Sequence, residues 1–165
     1  MTIQRGGMVA LAVQTPDGPR VRVAALLVSD DGRVVLVRHR ARARTYHLLP
    51  GGGVEYRETL EQALIREIRE ETGLEARIGK PLFINDTIDP NGRRHLINIT
   101  FAADIVGGAI TDCPEDDSVE AVELCAPAEL IGLDLRPPIA EALVRALGNV
   151  GAPLEYLGSL FTEGR

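Results

Sequence analysis

The sequence predicts one α/β domain built on a sheet that is buried on both faces. Three observations carry this expectation. Apolar runs of strand length cluster near the N-terminus and again past the middle of the chain, and a segment between them has helical periodicity. The 165 residues are 45% hydrophobic and 25% charged, which matches a globular domain with a core of ordinary size. No repeat, linker or low-complexity tract interrupts them, so residues 1–165 read as a single domain.

Taken in order, Met8 to Val13 and Arg20 to Val28 read as strands around Thr15-Pro16-Asp17-Gly18-Pro19, a turn punctuated by proline and glycine. Ser29-Asp30-Asp31-Gly32 then turns into a third run, Val34 to Val37, giving an expected β-meander. These runs scarcely alternate in polarity, as strands covered on both faces do not. The basic segment Arg38 to Arg44 and the run Gly51-Gly52-Gly53 follow. Thr59 and Gln62 form a capping box, so a helix is expected from there to Thr72, with Gly73 as its stop.

Pro81 to Ile88 and His95 to Val106 read as strands around the turn Asp89-Pro90-Asn91-Gly92. An acidic loop, Glu115 to Glu120, precedes a short strand, Val122 to Cys125. Pro137 and Pro138 open a packing helix, Ile139 to Leu147, that ends at Gly148. The tail Leu154 to Phe161 concentrates apolar and aromatic residues that either cover the core or meet a second subunit, so a homodimer stays open.

The net charge of −6 argues against a broad nucleic-acid-binding surface, and the lack of tryptophan argues against base-stacking platforms. Cys113 and Cys125 have no metal-ligand partners at suitable spacing and read as free thiols of a reducing compartment. The N-terminus lacks a signal-peptide pattern, and no run reaches the length that spans a bilayer. The expected setting is cytoplasmic, with no membrane or nucleic-acid partner.

The chemistry concentrates in Arg66-Glu67-Ile68-Arg69-Glu70-Glu71-Thr72-Gly73. At about 100° per residue and with Leu60 at zero, Glu67 falls near −20° and Glu71 near +20°, inside the apolar stripe of Ala63, Leu64 and Ile68. Glu70 lies at its margin, while Gln62, Arg66 and Arg69 make the solvated face. An inward carboxylate must be protonated, paired or bound to a cation, because burying it alone costs several kcal/mol. Clustered oxygen donors suit Mg²⁺ or Mn²⁺. Periodicity leaves two readings open, a divalent-metal site and a buried ion-pair network.

The wider pattern carries a family resemblance. Gly52 to Leu74, GGVEYRETLEQALIREIREETGL, fits G-x5-E-x7-R-E-U-x-E-E-x-G-U, with U aliphatic, at Gly52, Glu58, Arg66, Glu67, Ile68, Glu70, Glu71, Gly73 and Leu74. This resembles the Nudix box. The resemblance implies the Nudix fold, an α/β/α sandwich around a mixed sheet with the box as loop–helix–loop. It also implies hydrolysis of nucleoside diphosphates linked to another moiety, with Mg²⁺ or Mn²⁺ as cofactor and a small nucleotide as partner.

By that resemblance Glu67, Glu70 and Glu71 hold the metal together with the Gly51 carbonyl, and Arg66 with Glu58 is a structural pair that orients the helix. The general base comes from Glu70 or Glu71 in the box or from the loop after the sheet, where Glu120 is preferred and Glu115 next, over Asp116 and Asp117. Arg38 or Arg40 of the basic segment would grip the phosphates beside Gly51 and Gly52; otherwise that segment is a charged surface loop. His39, His47 and His95 read as ordinary polar residues, since this chemistry uses oxygen donors.

Pro90, sixteen positions past Leu74, looks like the proline that marks ADP-ribose pyrophosphatases in the family, although the turn also accounts for it. ADP-ribose or a similar nucleotide sugar is therefore the first expected substrate. The alternative is a pyrophosphohydrolase that clears oxidised or non-standard dNTPs. A third reading, of another class, is a ligand-binding module of the same fold that has lost catalysis. The full set of box carboxylates argues against it.

Overall fold

The computed structural model describes residues 18–41, 44–92, 94–111, 114–115, 118–149 and 151–161. The expected strand Met8 to Val13, turn residues Thr15 to Asp17, Arg42, Cys113, Asp116 and Asp117 lie outside the described residues. The elements in chain order are β1 (Arg20–Leu27), β2 (Val34–Ala41), β3 (Arg44–Leu48), α1 (Leu60–Thr72), β4 (Leu74–Ile88), β5 (His95–Gly108), β6 (Val119–Cys125), a 3₁₀ helix (Pro127–Gly132), α2 (Ala140–Gly148) and β7 (Glu155–Ser159).

The strands form two sheets rather than one meander. One has the order β1-β5-β4-β7, mixed, with β1 parallel to β5, β4 antiparallel to β5 and β7 parallel to β4. The other is the antiparallel β3-β2-β6. The expected meander fails because β2 does not find the free edge of β1. The glycine loop takes that edge: the amides of Val23 and Ala25 donate to the carbonyls of Gly52 (3.0 Å) and Pro50 (2.9 Å), and the Val54 amide donates to Val21 (3.0 Å). A single bridge, Val28 to Val34, is what joins the two strands.

The prediction of a sheet covered on both faces holds. Val23 to Leu27 are five consecutive buried residues. Val23, Ala25, Leu27 and Val35 pack under α1 against Ala63, Leu64 and Ile68. Ala24, Leu26, Val34 and Leu36 face the other way, onto Leu130, Ile139 and Leu143. Helices α1 and α2 therefore cover opposite faces, the expected α/β/α arrangement. At roughly 1.5–3 kcal/mol for each fully buried aliphatic side chain, the two clusters supply the main cohesion of the fold.

Helix α1 starts and stops where its capping residues dictate. The Thr59 hydroxyl accepts from the Gln62 amide (3.1 Å), and the Gln62 side-chain oxygen accepts from the Thr59 amide (2.9 Å). Gly73 closes the helix at φ 74°, its amide bonded to the Arg69 carbonyl at 2.9 Å. Helix α2 begins one residue later than expected, with Ile139 as N-cap.

Three short elements escape sequence reading: β3, the 3₁₀ helix and β7. The segment beyond Val37 is not a loop, since β2 continues to Ala41 and pairs with β3. Part of the tail covers the core. Strand β7 extends the mixed sheet, and Leu157 and Leu160 pack against the α2-side core.

Candidate active site

The site is built where the glycine loop meets the last turn of α1. Glu71 is buried, 3% exposed, and its Oε2 accepts the Gly51 amide at 2.8 Å. Gly51 sits at φ 143°, and a Cβ on it would strike the backbone of Val23. A Cβ on Gly52 would fall within the Glu67 carboxylate. The two glycines thus let β1, the loop and two carboxylates approach more closely than side chains allow. Glu67 and Glu71 point inward, as the helical wheel indicates.

Arg66 departs from the wheel. It was expected on the solvated face, away from Glu67, yet it is half-buried and gathers the box carboxylates. Its Nε and Nη2 donate to Glu58 at 2.8 and 3.0 Å, and its Nη1 donates to Glu67 at 2.8 Å and Glu70 at 3.3 Å. Its Nη2 also reaches the Gly53 carbonyl at 3.3 Å. A wheel places Cβ directions only, and the long arginine stem lies along the helix surface and folds its guanidinium back over the loop. The hydrogen bonds from Arg66 hold the Glu58 carboxyl down at about 2.

A second guanidinium comes from outside the helix. Arg22 of β1 donates from Nη2 to the carbonyls of Gly51 (2.6 Å) and Leu49 (3.2 Å). Burial pulls its pKa down, and the charges of Glu71 and Glu67 oppose that shift. Of the two readings open in the sequence, the ion-pair network is what the side chains form, and it involves the oxygens that the metal reading would use. Three carboxylates and a backbone carbonyl suit a hard divalent ion, and in this respect the residues fit Mg²⁺ or Mn²⁺. Among the described residues no three acidic, histidine or cysteine side chains converge on one point. Arg66 and Arg22 hold the oxygens that an ion would use.

The remaining predicted residues lie as follows. The Glu115 amide donates to the Glu70 carbonyl at 2.8 Å, which pins the acidic loop to the end of α1. Glu120 is not in a loop as expected. Strand β6 begins at Val119, three residues before the expected Val122, because Val119 and Ala121 pair with His39 and Arg38 of β2. The Glu120 carboxylate accepts from Arg38 at 3.1 Å and pairs with Arg40 at 2.5 Å. Arg38 also pairs with Glu123, whose second oxygen lies 2.9 Å from His47 Nε2. Arg38 and Arg40 are thus strand residues with cross-strand carboxylates rather than a surface loop. His39 stacks on Tyr46 at 5.4 Å between ring centroids, and His95 lies 3.3 Å from Asp86.

Beyond Arg22 a cavity of about 470 Å³ opens, with Leu48, Leu96, Asn98, Arg136 and Phe161 in its wall. Arg22 is common to the cavity wall and to the carboxylate cluster, so the cavity adjoins Glu67 and Glu71 through its side chain. Sequence reading missed both Arg22 and Asn98. Each is a polar residue within a largely apolar strand, a signal that does not say what the side chain meets.

Carboxylates on a helix end, seated on a glycine loop against two sheets, define the class: the chain belongs to the NUDIX family, whose domain matches residues 18–147. It is a Nudix hydrolase, a class of pyrophosphohydrolases that generally use divalent metal ions. It is 36% identical to an ADP-ribose pyrophosphatase from Methanocaldococcus jannaschii over 103 residues, 62% of this chain and 60% of that relative. It is 29% identical to a CTP pyrophosphohydrolase from Escherichia coli, over 75% of this chain and 91% of the relative. A NUDIX hydrolase structure from Nitrosomonas europaea shares the fold with a TM-score of 0.69 at 23% identity, covering 81% of this chain and 90% of that chain. No helix among the described residues is long and apolar enough to cross a membrane.

Proposed function

We propose that residues 1–165 form one catalytic unit that hydrolyses the pyrophosphate bond of a small nucleoside diphosphate derivative, ADP-ribose first. The observation that carries the reading is that Glu71 and Glu67 meet the glycine loop, with Glu70 joined to Glu67 through Arg66, beside Arg22, which also lines an organic-sized cavity. Glu67, Glu70, Glu71 and the Gly51 carbonyl would hold Mg²⁺ or Mn²⁺. A divalent ion there would screen the diphosphate and polarise its phosphorus–oxygen bonds.

The chain's own residues do the rest. Arg66 and Glu58 fix the pitch of the carboxylates, and Gly51 and Gly52 let the phosphates approach the backbone. A carboxylate takes the proton of the attacking water; the candidates are Glu120 of β6, Glu115 of the loop, and Glu70 and Glu71 of the helix. Glu115 is supported by the bond between its amide and Glu70. Arg38 and Arg40, already held by Glu120 across the β2–β6 pair, are the proposed phosphate contacts. The proposed setting is the cytoplasm.

ADP-ribose is favoured by the named relative and by the turn that carries Pro90, whose neighbour Asp89 lines the cavity. The second reading, pyrophosphate removal from a nucleoside triphosphate, is favoured by the CTP-hydrolysing relative. Product analysis separates them. ADP-ribose yields AMP and ribose 5-phosphate, whereas a triphosphate yields a monophosphate and pyrophosphate. Failure to turn over either with Mg²⁺ or Mn²⁺ contradicts both.

A further inference from the structure

One residue of β4 holds the tail of the chain at two points. Strand β4 alternates its side chains between the two faces of the sheet. Thr87 lines the cavity, as does Asn98, the β5 partner of Asn85. Asp86, between Asn85 and Thr87, points to the opposite face, which it shares with Ile84 and its β7 partner Tyr156. The Tyr156 hydroxyl donates to Asp86 Oδ2 at 2.5 Å, and the Asp86 backbone carbonyl accepts the Leu160 amide at 2.7 Å. His95 Nε2 lies 3.3 Å from the other carboxylate oxygen. The Tyr156 bond, and after it His95, keeps the Asp86 carboxyl below the ordinary aspartate range, so the ionised form is the acceptor.

The ladder alone holds β7 loosely. It is a five-residue strand at the edge of its sheet, paired with β4 through a register that shifts between Ile84 and Asp86. Segments with few ladder bonds open at low free-energy cost. Gly158, at φ 77°, takes the bend that accompanies the shift. Past the bend Leu160 packs on the α2-side core, and Phe161, the next residue, stands in the wall of the 470 Å³ cavity. Phe161 and Tyr46 are the aromatic rings among the described lining residues, and the Arg136 guanidinium already covers Tyr46 at 4.3 Å from its centroid.

We propose that Asp86 is a positioning residue for the substrate: by clasping Tyr156 and the Leu160 amide it keeps Phe161 in the cavity wall, where the ring packs against the bound nucleotide. Neither Asp86 nor Tyr156 lines the cavity. Their effect on binding passes through the tail, so removing the Tyr156 hydroxyl acts on the cavity without altering any lining residue. The inference rests on the nucleotide-hydrolase reading only for the ligand being a nucleotide.

Calorimetric affinities of the full chain for AMP and CMP, the monophosphate products of the two readings, test it apart from turnover. For whichever binds tighter, Phe161→Ala weakens binding about tenfold, the scale of one lost aromatic contact. Tyr156→Phe weakens it about threefold or more, within the range of one hydrogen bond. Asp86→Ala, which removes the side-chain acceptor, gives a similar loss. In the Phe161→Ala background, Tyr156→Phe changes affinity by less than about 1.5-fold, because the ring that it holds is gone. In turnover the loss appears in KM rather than kcat, as for binding that ground state and transition state share. An unchanged affinity in Tyr156→Phe overturns the proposal, as do losses that multiply in the double variant. A loss confined to kcat overturns it as well, and so does failure of both monophosphates to bind. Tail-dependent binding without hydrolysis leaves this inference standing and contradicts the enzymatic one.

Discussion

Arg22 Nη2 lies 2.6 Å from the carbonyl oxygen of Gly51. The family resemblance assigns that same oxygen to a metal ion, and on that assignment a guanidinium from β1 and a divalent cation would compete for it. Arg22 also answers the charges of Glu67 and Glu71. Replacing it with methionine removes that compensation and costs about 2 kcal/mol of stability in metal-free protein, the scale of a charge-assisted hydrogen bond. The melting-temperature gain on adding Mn²⁺ should then exceed that of the unaltered protein. An equal or smaller gain means that Arg22 and the ion do not compete.

Metal should raise the melting temperature of the unaltered protein, because Glu67, Glu70 and Glu71 crowd negative charge at one helix end. Glu67→Gln and Glu71→Gln each reduce that gain. A melting temperature that stays flat across saturating Mg²⁺ and Mn²⁺ would count against the site.

The adjacent glycines should fail differently. Gly51→Ala sets a Cβ against the Val23 backbone at φ 143°, and a loss of about 1–3 kcal/mol is expected in denaturant unfolding. Gly52→Ala meets only the Glu67 carboxylate, a side chain that can move. It should keep most of its stability while losing activity and metal-dependent stabilisation. Equal stability losses in the two variants would contradict this division.

Glu58 gives a pH test. Its folded pKa is about 2, below the ordinary 4.5, because Arg66 and the Glu55 amide bond the ionised form. Its contribution is therefore complete above about pH 4.5 and is lost as pH falls toward 2. Glu58→Gln should lower stability at pH 7 and flatten its decline between those values. Parallel stability curves for the two proteins would show that the pair is not coupled to folding.

Much of this was legible in sequence because it is local. The capping box, the Gly73 stop and the inward turn of Glu67 and Glu71 follow from spacing along one helix. What escaped depends on long-range pairing. The meander failed because a loop rather than a strand occupies the β1 edge, which no hydrophobic pattern records. Arg66 was misplaced because a wheel fixes Cβ directions, not the end of a long side chain. Arg22, Asn98 and β7 acquire their roles only from partners more than ten residues away.

The most direct test compares the unaltered protein with Glu71→Gln on ADP-ribose, in Mg²⁺ and in Mn²⁺, with products identified by chromatography and folding checked by melting temperature. The glutamine oxygen can still accept the Gly51 amide, so the fold should hold. The expected result is AMP and ribose 5-phosphate from the unaltered protein and a loss of about a hundredfold or more in the variant. A folded Glu71→Gln protein that hydrolyses ADP-ribose at a rate within about twofold of the original would contradict a reaction centred on these carboxylates.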